Sequence, residues 1–322
     1  MRAFEYKNPG NLDEAIGFLN AQSRALAGGT DLVTLMKADI ASPSRLVNIK
    51  SLLDADIGEG PAGTRLGALV TLDDLEKSLL IQGRYTALAE AAAAAASPQL
   101  RNMATLGGNL LQRPRCWYYR NARIPCWLKG GDACPAKNGE NRLHALFGDS
   151  PCVAVHPSDP ASALVALDAQ LRVRGGSGER VVPIEQFFAL PHASRRTENS
   201  LEDDELIVAI ELPARQNLRS TYLKAMERKT WTFALVGVAA AVRRAGPNIE
   251  EARVVLTGVA PVPWRAHLAE EVLKGARPQE GLFEEAARAA LEGASPLGHN
   301  AYKIPLLTAL VRRALATVCV IS

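Results

Sequence analysis

The sequence predicts an α+β chain of three consecutive units, and three features carry that prediction. Helical and strand periods alternate over residues 1–55, glycine-punctuated strands dominate residues 56–215, and a polar break at PARQNLRS precedes long strands and then helices in residues 216–322. At 322 residues and 48% hydrophobic content, the chain is long enough for more than one core. The net charge is only +3, and Lys and Arg are scattered, so no stripe is offered to nucleic acid and no basic face to a membrane.

In residues 1–55, Leu12, Ala15, Ile16 and Leu19 recur at i, i+3, i+4 and i+7 and predict a helix. RALAGG then predicts a strand, DLVTLMKAD a helix and SRLVNIK a second strand. In residues 56–215, Gly58, Gly60, Gly63 and Gly67 around short apolar runs predict a tight hairpin, and YTALAEAAAAAAS predicts a buried helix ended by Pro98. LRVRGGSGERVVPI predicts a hairpin that turns at Gly175-Gly176-Ser177-Gly178, and ELIVAIELP a strand. Residues 216–322 begin with strand TYLKAME, the apolar run FALVGVAAAVRR, turn GPN and strand EARVVLTGVA. Helices are predicted from Trp264, from Gly281 and near Pro305–Thr317, and no period of 20–50 residues recurs.

Glu5, Lys7, Asp13 and Glu14 interrupt any apolar signal region, and ALAEAAAAAAS is too short to span a bilayer. The expectation is a cytoplasmic chain, or a periplasmic one exported folded beside a partner with a twin-arginine signal. In a reducing compartment, clustered cysteines point to metal or redox chemistry rather than to disulfides.

Two glycine turns, LAGGTDL at 26–32 and ATLGGNL at 104–110, are candidate phosphate cradles, because bare backbone N–H groups there can face an anion. The alternative for the first is an ordinary strand-to-helix turn capped by Asp31. His144, His156, His192, His267 and His299 are dispersed and suit structural or surface roles, with His156 nearest a candidate site. The insertion at about 113–152 holds four of the five cysteines, Cys116, Cys126, Cys134 and Cys152, spaced C-x9-C-x7-C-x17-C. A loop this long without regular structure needs an organiser, and four thiolates can close on zinc or on an iron–sulfur cluster. Spacing alone leaves iron–sulfur, zinc and free or paired cysteines open. Arg113, Arg115, Arg120, Arg123, Lys129, Lys137 and Arg142 would offset a thiolate cluster's charge, and Trp117, Tyr118, Tyr119 and Trp127 would limit water. Cys319 reads as an isolated thiol.

Taken in order, LAGGTDL, QLRNMATLGGNLL, HPSDPASALVALDA, DELIVAIELP, YLKAMERKTWTFALVGVAAAV, GVAPVPWRAHLAEE and NAYKIPLLTALVRRAL resemble the FAD-binding subunit of the xanthine dehydrogenase and aldehyde oxidase family of molybdenum hydroxylases. The resemblance covers nearly the whole chain. It implies a two-part FAD-binding domain of the vanillyl-alcohol-oxidase type over residues 1–55 and 56–215, followed by a CO dehydrogenase flavoprotein C-terminal-like α+β domain. The insertion looks like that of bacterial aldehyde oxidoreductase and 4-hydroxybenzoyl-CoA reductase flavin subunits, which implies a 4Fe-4S cluster on Cys116, Cys126, Cys134 and Cys152.

For FAD, the resemblance implies contacts from Leu26, Ala27, Gly28, Gly29, Thr30, Asp31 and Leu32, and a second wall of Ala104, Thr105, Gly107, Gly108 and Asn109. It adds Asp159 near the ribose and pyrophosphate, Ile207 against the isoalloxazine, and Lys224 as a basic residue approaching the flavin. The family usually carries an acidic residue where this chain has Lys229-Thr230-Trp231, so NAD reactivity is not implied. The implied partners are a molybdenum-cofactor-binding large subunit, a 2Fe-2S small subunit and an external electron acceptor, with substrate oxidation on another chain. The alternatives are a flavin subunit of a 4-hydroxybenzoyl-CoA reductase-like enzyme, and a zinc-stapled binding protein without redox activity.

Overall fold

The structure is a computed structural model and describes residues 1–228 and 230–319; Lys229, part of the Lys229-Thr230-Trp231 departure, lies outside the described residues. The first unit runs β1 (Glu5–Lys7), α1 (Leu12–Gly17), β2 (Ser23–Leu26), α2 (Leu32–Lys37) and β3 (Arg45–Asn48). Its parallel sheet has the order β1-β3-β2. The predicted helices and strands are present, and β1 is an addition that three residues with no apolar alternation could not signal.

The second unit adds β4 (Ile57–Gly60), β5 (Gly63–Gly67), α3 (Leu72–Lys77), α4 (Leu79–Arg84), α5 (Thr86–Ala94), α6 (Pro98–Arg101) and α7 (Leu106–Leu110). After the cysteine loop it continues with α8 (Asp159–Ala166), β6 (Gln170–Gly175), β7 (Gly178–Pro183), α9 (Ile184–Phe187) and β8 (Leu206–Pro213). The strands form one antiparallel sheet, β4-β5-β8-β6-β7. Pro98 plays a different part from the one predicted. The α5 helix stops at Ala94, Ala96 takes φ 56°, and Pro98 opens α6, where its missing N–H costs nothing.

The third unit comprises β9 (Leu218–Ala225), β10 (Val236–Ala245), β11 (Asn248–Thr257), β12 (Trp264–Arg265), α10 (His267–Leu273), α11 (Glu280–Ala289) and α12 (Lys303–Val318). Its sheet is antiparallel in the order β12-β11-β10-β9. Trp264 does not begin a helix: its ring stacks on Phe147 at 5.1 Å and the helix starts at His267.

The apolar run of β10 follows from burial on both faces. Ala239 and Ala241 join the core of α5, α8 and the five-stranded sheet, whereas Val238, Ala240 and Val242 join a core closed by α10, α11 and α12. β8 is shared in the same way: Ile207, Ile210 and Leu212 face the larger core, and Leu206 and Val208 join Ala15, Ile16 and Val47 of the first unit. A register shift in the β6–β8 pairing skips Val208, a bulge beside Ile207 at the cleft described below. No helix among the described residues is long and apolar enough to cross a membrane.

Candidate flavin and cysteine site

The two glycine turns meet. An added Cβ on Gly28 would lie 1.8 Å from the Met103 carbonyl oxygen, so only glycine lets the β2–α2 turn press against the chain entering the second turn. Gly29 adopts φ 72°, the left-handed region that glycine enters freely. On the other side, Thr105 Oγ1 accepts from the Gly108 N–H at 3.2 Å, and the Leu106 and Gly107 N–H groups donate to Val70 and Ala68 carbonyls at 2.8 and 2.9 Å. ATLGGNL is therefore a capped helix start pinned to β5's outgoing chain.

Between the turns lies a cleft of about 770 Å³. Ala27, Gly28, Gly29, Thr30, Asp31 and Leu32 line one wall, Ala104, Thr105, Gly107, Gly108 and Asn109 the other, and Ile207 also reaches it. Among the described residues, no hydrogen bond uses the N–H of Gly28, Gly29 or Thr30, which leaves three backbone donors at the cleft for an anion. Leu26 sits behind the wall rather than in it, its side chain 3.3 Å from where a Gly29 Cβ would stand.

Asp159 and Lys224 are brought together, but away from the cleft lining. Their carboxylate and ammonium are 2.8 Å apart, with side chains 3% and 2% exposed, and the Tyr222 hydroxyl donates to Asp159 at 2.5 Å. Lys224 also donates to the Ala94 carbonyl at 2.9 Å, so the pair stitches α8 and α5 to β9. Burial pushes the Asp159 carboxyl above its usual range against the pull of Lys224 and Tyr222. The HPSD motif touches the cleft through its serine, because Ser158 Oγ donates to Asn109 Oδ1 at 2.5 Å.

The cysteine loop carries no helix or strand beyond two short 3₁₀ turns, Trp127–Lys129 and Pro135–Lys137. Cys126 and Cys152 are buried with Leu35, Tyr119, Trp127, Leu128 and Ala154, and Cys116 and Cys134 pack against that same cluster. Cys116, Cys126, Cys134 and Cys152 are all free thiols. Burial pushes the Cys116 thiol up to about 11. A hydrogen bond from Cys152 lowers Cys134 to about 6 and raises Cys152 in return. Among the described residues no three His, Cys, Asp or Glu side chains stand close enough to grip a single ion.

Sequence reasoning missed His144, whose Nε2 lies 3.2 Å from Cys116 Sγ in a 2% exposed position. It also missed the wall that the cysteine loop gives the cleft, formed by Arg113, Arg115 and Tyr119. The basic residues of the loop were legible; that several reach carboxylates far along the chain was not. Arg113 pairs with Glu198 at 3.2 Å and Arg142 with Glu227 at 2.5 Å.

The family described as FAD binding domain in molybdopterin dehydrogenase matches residues 2–215, and CO dehydrogenase flavoprotein C-terminal domain matches residues 221–318. The aldehyde oxidoreductase FAD-binding subunit PaoB of Escherichia coli (strain K12) is 37% identical over 99% of this chain and 98% of its own length. The carbon monoxide dehydrogenase medium chain of Hydrogenophaga pseudoflava is 28% identical over 97% of this chain and 96% of its own. A solved structure of carbon monoxide dehydrogenase from H. pseudoflava superposes with TM-score 0.78 at 29% identity, covering 98% of this chain and 97% of that one. The chain belongs to the family of FAD-binding subunits of the xanthine dehydrogenase, carbon monoxide dehydrogenase and aldehyde oxidoreductase type.

Proposed function

We propose that the chain is the FAD- and 4Fe-4S-containing electron-transfer subunit of a molybdenum-dependent aldehyde oxidoreductase, completed by a molybdenum-cofactor-binding large subunit and a 2Fe-2S small subunit. The observation that carries this reading is the junction of a cleft walled by two glycine turns with a knot of four thiols, the cysteine loop itself lining the cleft. The relative named as an aldehyde oxidoreductase subunit, similar end to end, supports the choice of substrate class.

The residues fit FAD. Three backbone donors without acceptors at Gly28, Gly29 and Thr30 suit a pyrophosphate, and Ile207 offers an apolar surface to a flat ring. The Arg115 side chain lines the same cleft with a buried Nε that has no hydrogen-bond partner among the described residues. Four free thiols gathered on one apolar cluster supply the donor set of a 4Fe-4S cluster, in which each of Cys116, Cys126, Cys134 and Cys152 would take its own iron. Cys126 and Cys152 are only 4% exposed, which keeps water from the site. Bound FAD supplies an acceptor that takes electrons singly and releases them in pairs, and a 4Fe-4S cluster supplies a one-electron relay. This chain's own residues bind, orient and exclude water, and the oxidation of substrate takes place on the molybdenum subunit. Electrons leaving that subunit would reach this chain by way of the 2Fe-2S small subunit, and the residues of the cleft and the cysteine loop would hold the groups that hand them to an external acceptor.

The test is an absorption spectrum of the anaerobically purified chain, with iron, zinc and extracted flavin measured on the same sample. About four irons per FAD beneath flavin bands is the expected result. Flavin without iron would remove the cluster from the reading, and stoichiometric zinc in a colourless chain would remove the electron-transfer function altogether.

A further inference from the structure

Asp31 ends the first glycine turn where a helix cap would stand, yet its side chain makes no cap bond to α2. Both carboxylate oxygens instead cross the fold to the cysteine loop. Oδ1 accepts from Arg115 Nη2 at 2.9 Å and from Arg120 Nη2 at 2.8 Å, and Oδ2 accepts from the Arg113 backbone N–H at 2.9 Å. The Asp31 side chain is 14% exposed, so these charge-assisted bonds are largely shielded from solvent.

Every one of these bonds bears on the short stretch of chain that carries Cys116. Arg115 precedes it directly. Arg120 also donates to the Pro114 and Arg113 carbonyls at 2.8 and 2.7 Å, and its backbone N–H donates to the Cys116 carbonyl at 2.9 Å. Arg115 meanwhile lies over the Phe233 ring at 4.7 Å, which brings the third unit to the same point. The stretch 113–120 is thus held by a carboxylate that belongs to the flavin turn and by little regular structure of its own.

We propose that Asp31 is a positioning residue that couples occupancy of the flavin cleft to order in the cysteine loop around Cys116. A ligand that fixes Gly28, Gly29 and Thr30 fixes the next residue, Asp31, and with it the loop; by linkage, an ordered loop favours the same ligand. This rests on the flavin reading of the cleft and is independent of what the four cysteines hold.

The test is amide hydrogen exchange on the full-length chain, with FAD bound, removed and restored, in wild type and in Asp31→Asn, which keeps an acceptor at the same place but loses the charge. In wild type, FAD removal should speed exchange across 113–121 by roughly 10-fold, within the range of ordinary coupling energies, and restoring FAD should reverse it. In Asp31→Asn the same segment should exchange fast in both states, while 26–32 still responds to FAD. Arg120→Gln, which leaves the glycine turn untouched, should weaken the response in the same direction. A purely structural aspartate would change exchange in both states without abolishing the response to FAD. FAD binding with a loop that ignores it, or an Asp31→Asn loop that responds as wild type does, would overturn the proposal alone; a wild-type chain that binds no FAD would overturn the flavin reading with it.

Discussion

Replacing Gly28 by alanine should weaken FAD binding more than any other single methyl added to the two turns. The added carbon would stand 1.8 Å from the Met103 carbonyl oxygen and 2.8 Å from its carbon. Carbon and oxygen without a covalent bond approach to about 3.3 Å, so the turns must separate by about 1.5 Å. Neither partner can yield as a flexible side chain would, because both are backbone. Overpacking of this kind costs about 1–3 kcal/mol. If the flavin is cradled between both turns, as proposed, the upper part of that range is about 100-fold in affinity. Gly29→Ala provides the internal scale: its φ of 72° strains alanine, yet the new carbon meets only Val33 Cγ2 at 3.2 Å and Leu26 Cδ1 at 3.3 Å. A left-handed alanine costs about 1–2 kcal/mol, or on the order of 10-fold. The assay is titration of the deflavinated full chain with FAD, followed by quenching of flavin fluorescence. Gly28→Ala binding within about threefold of wild type, or more tightly than Gly29→Ala, would refute the reasoning.

Cys126→Ser should drop iron from about four per FAD to near zero while leaving flavin bound, and unchanged iron would remove Cys126 from the ligand set. Lys224→Met strands the Asp159 carboxylate in the interior and should cost about 3–5 kcal/mol in denaturant unfolding, with the Asp159→Asn, Lys224→Met double variant less damaged than the single. Equal damage in both would mean that Lys224 contributes by packing alone. Burial pushes His156 down to about 4 from an ordinary 6.5. The unfolded chain therefore binds the proton more readily, so this contribution is complete above pH 6.5 and is lost as pH falls toward 4, amounting to about 3 kcal/mol. His156→Gln should flatten the stability profile in that window, and an unchanged slope would show that His156 is not its source.

The strand and helix pattern was legible wherever burial is one-sided. Leu12, Ala15, Ile16 and Leu19 read as a helix because only one face of α1 meets the core, and the β6–β7 hairpin read from its glycines. The three residues of β1 give a period too little length to register, and α3 and α4, which meet at Ser78, drew no reading from the sequence. The glycine turns were visible as composition, but which glycine is indispensable was not. Nothing in the sequence ranks Gly28 against Gly29, and it is the approach of Met103, 75 residues further along the chain, that singles out Gly28. Asp159 and Lys224 show the opposite limit: a buried pair and a ligand-binding pair use the same residue types, and only the fold distinguishes them. His144 gave no signal, since a lone histidine 28 residues from Cys116 has no motif to declare the contact.

How the cysteine loop holds its shape explains why the thiols and the flavin cleft can be tested separately. Inside the loop, apolar side chains and thiols pack around local turns such as Trp127 N–H to the Ala133 carbonyl, and the carbonyls those turns leave over find partners outside it. They find them on every surrounding unit. Asn300 Nδ2 donates to the His144 and Ala145 carbonyls at 3.1 and 2.9 Å, and the fully buried Lys303 donates to the His144 and Gly258 carbonyls at 2.9 and 2.7 Å. Arg196 lies over the Trp127 ring at 4.7 Å while donating to the Trp127 and Gly131 carbonyls at 2.6 and 2.9 Å. Those anchors come from α12 and its N-terminal approach and from the chain between β7 and β8, and none of them involves a sulfur. A serine in place of Cys126 removes one thiol and leaves each anchor standing. The cleft wall that Arg113, Arg115 and Tyr119 provide therefore survives loss of a thiol, whereas loss of Asp31 reaches that wall directly.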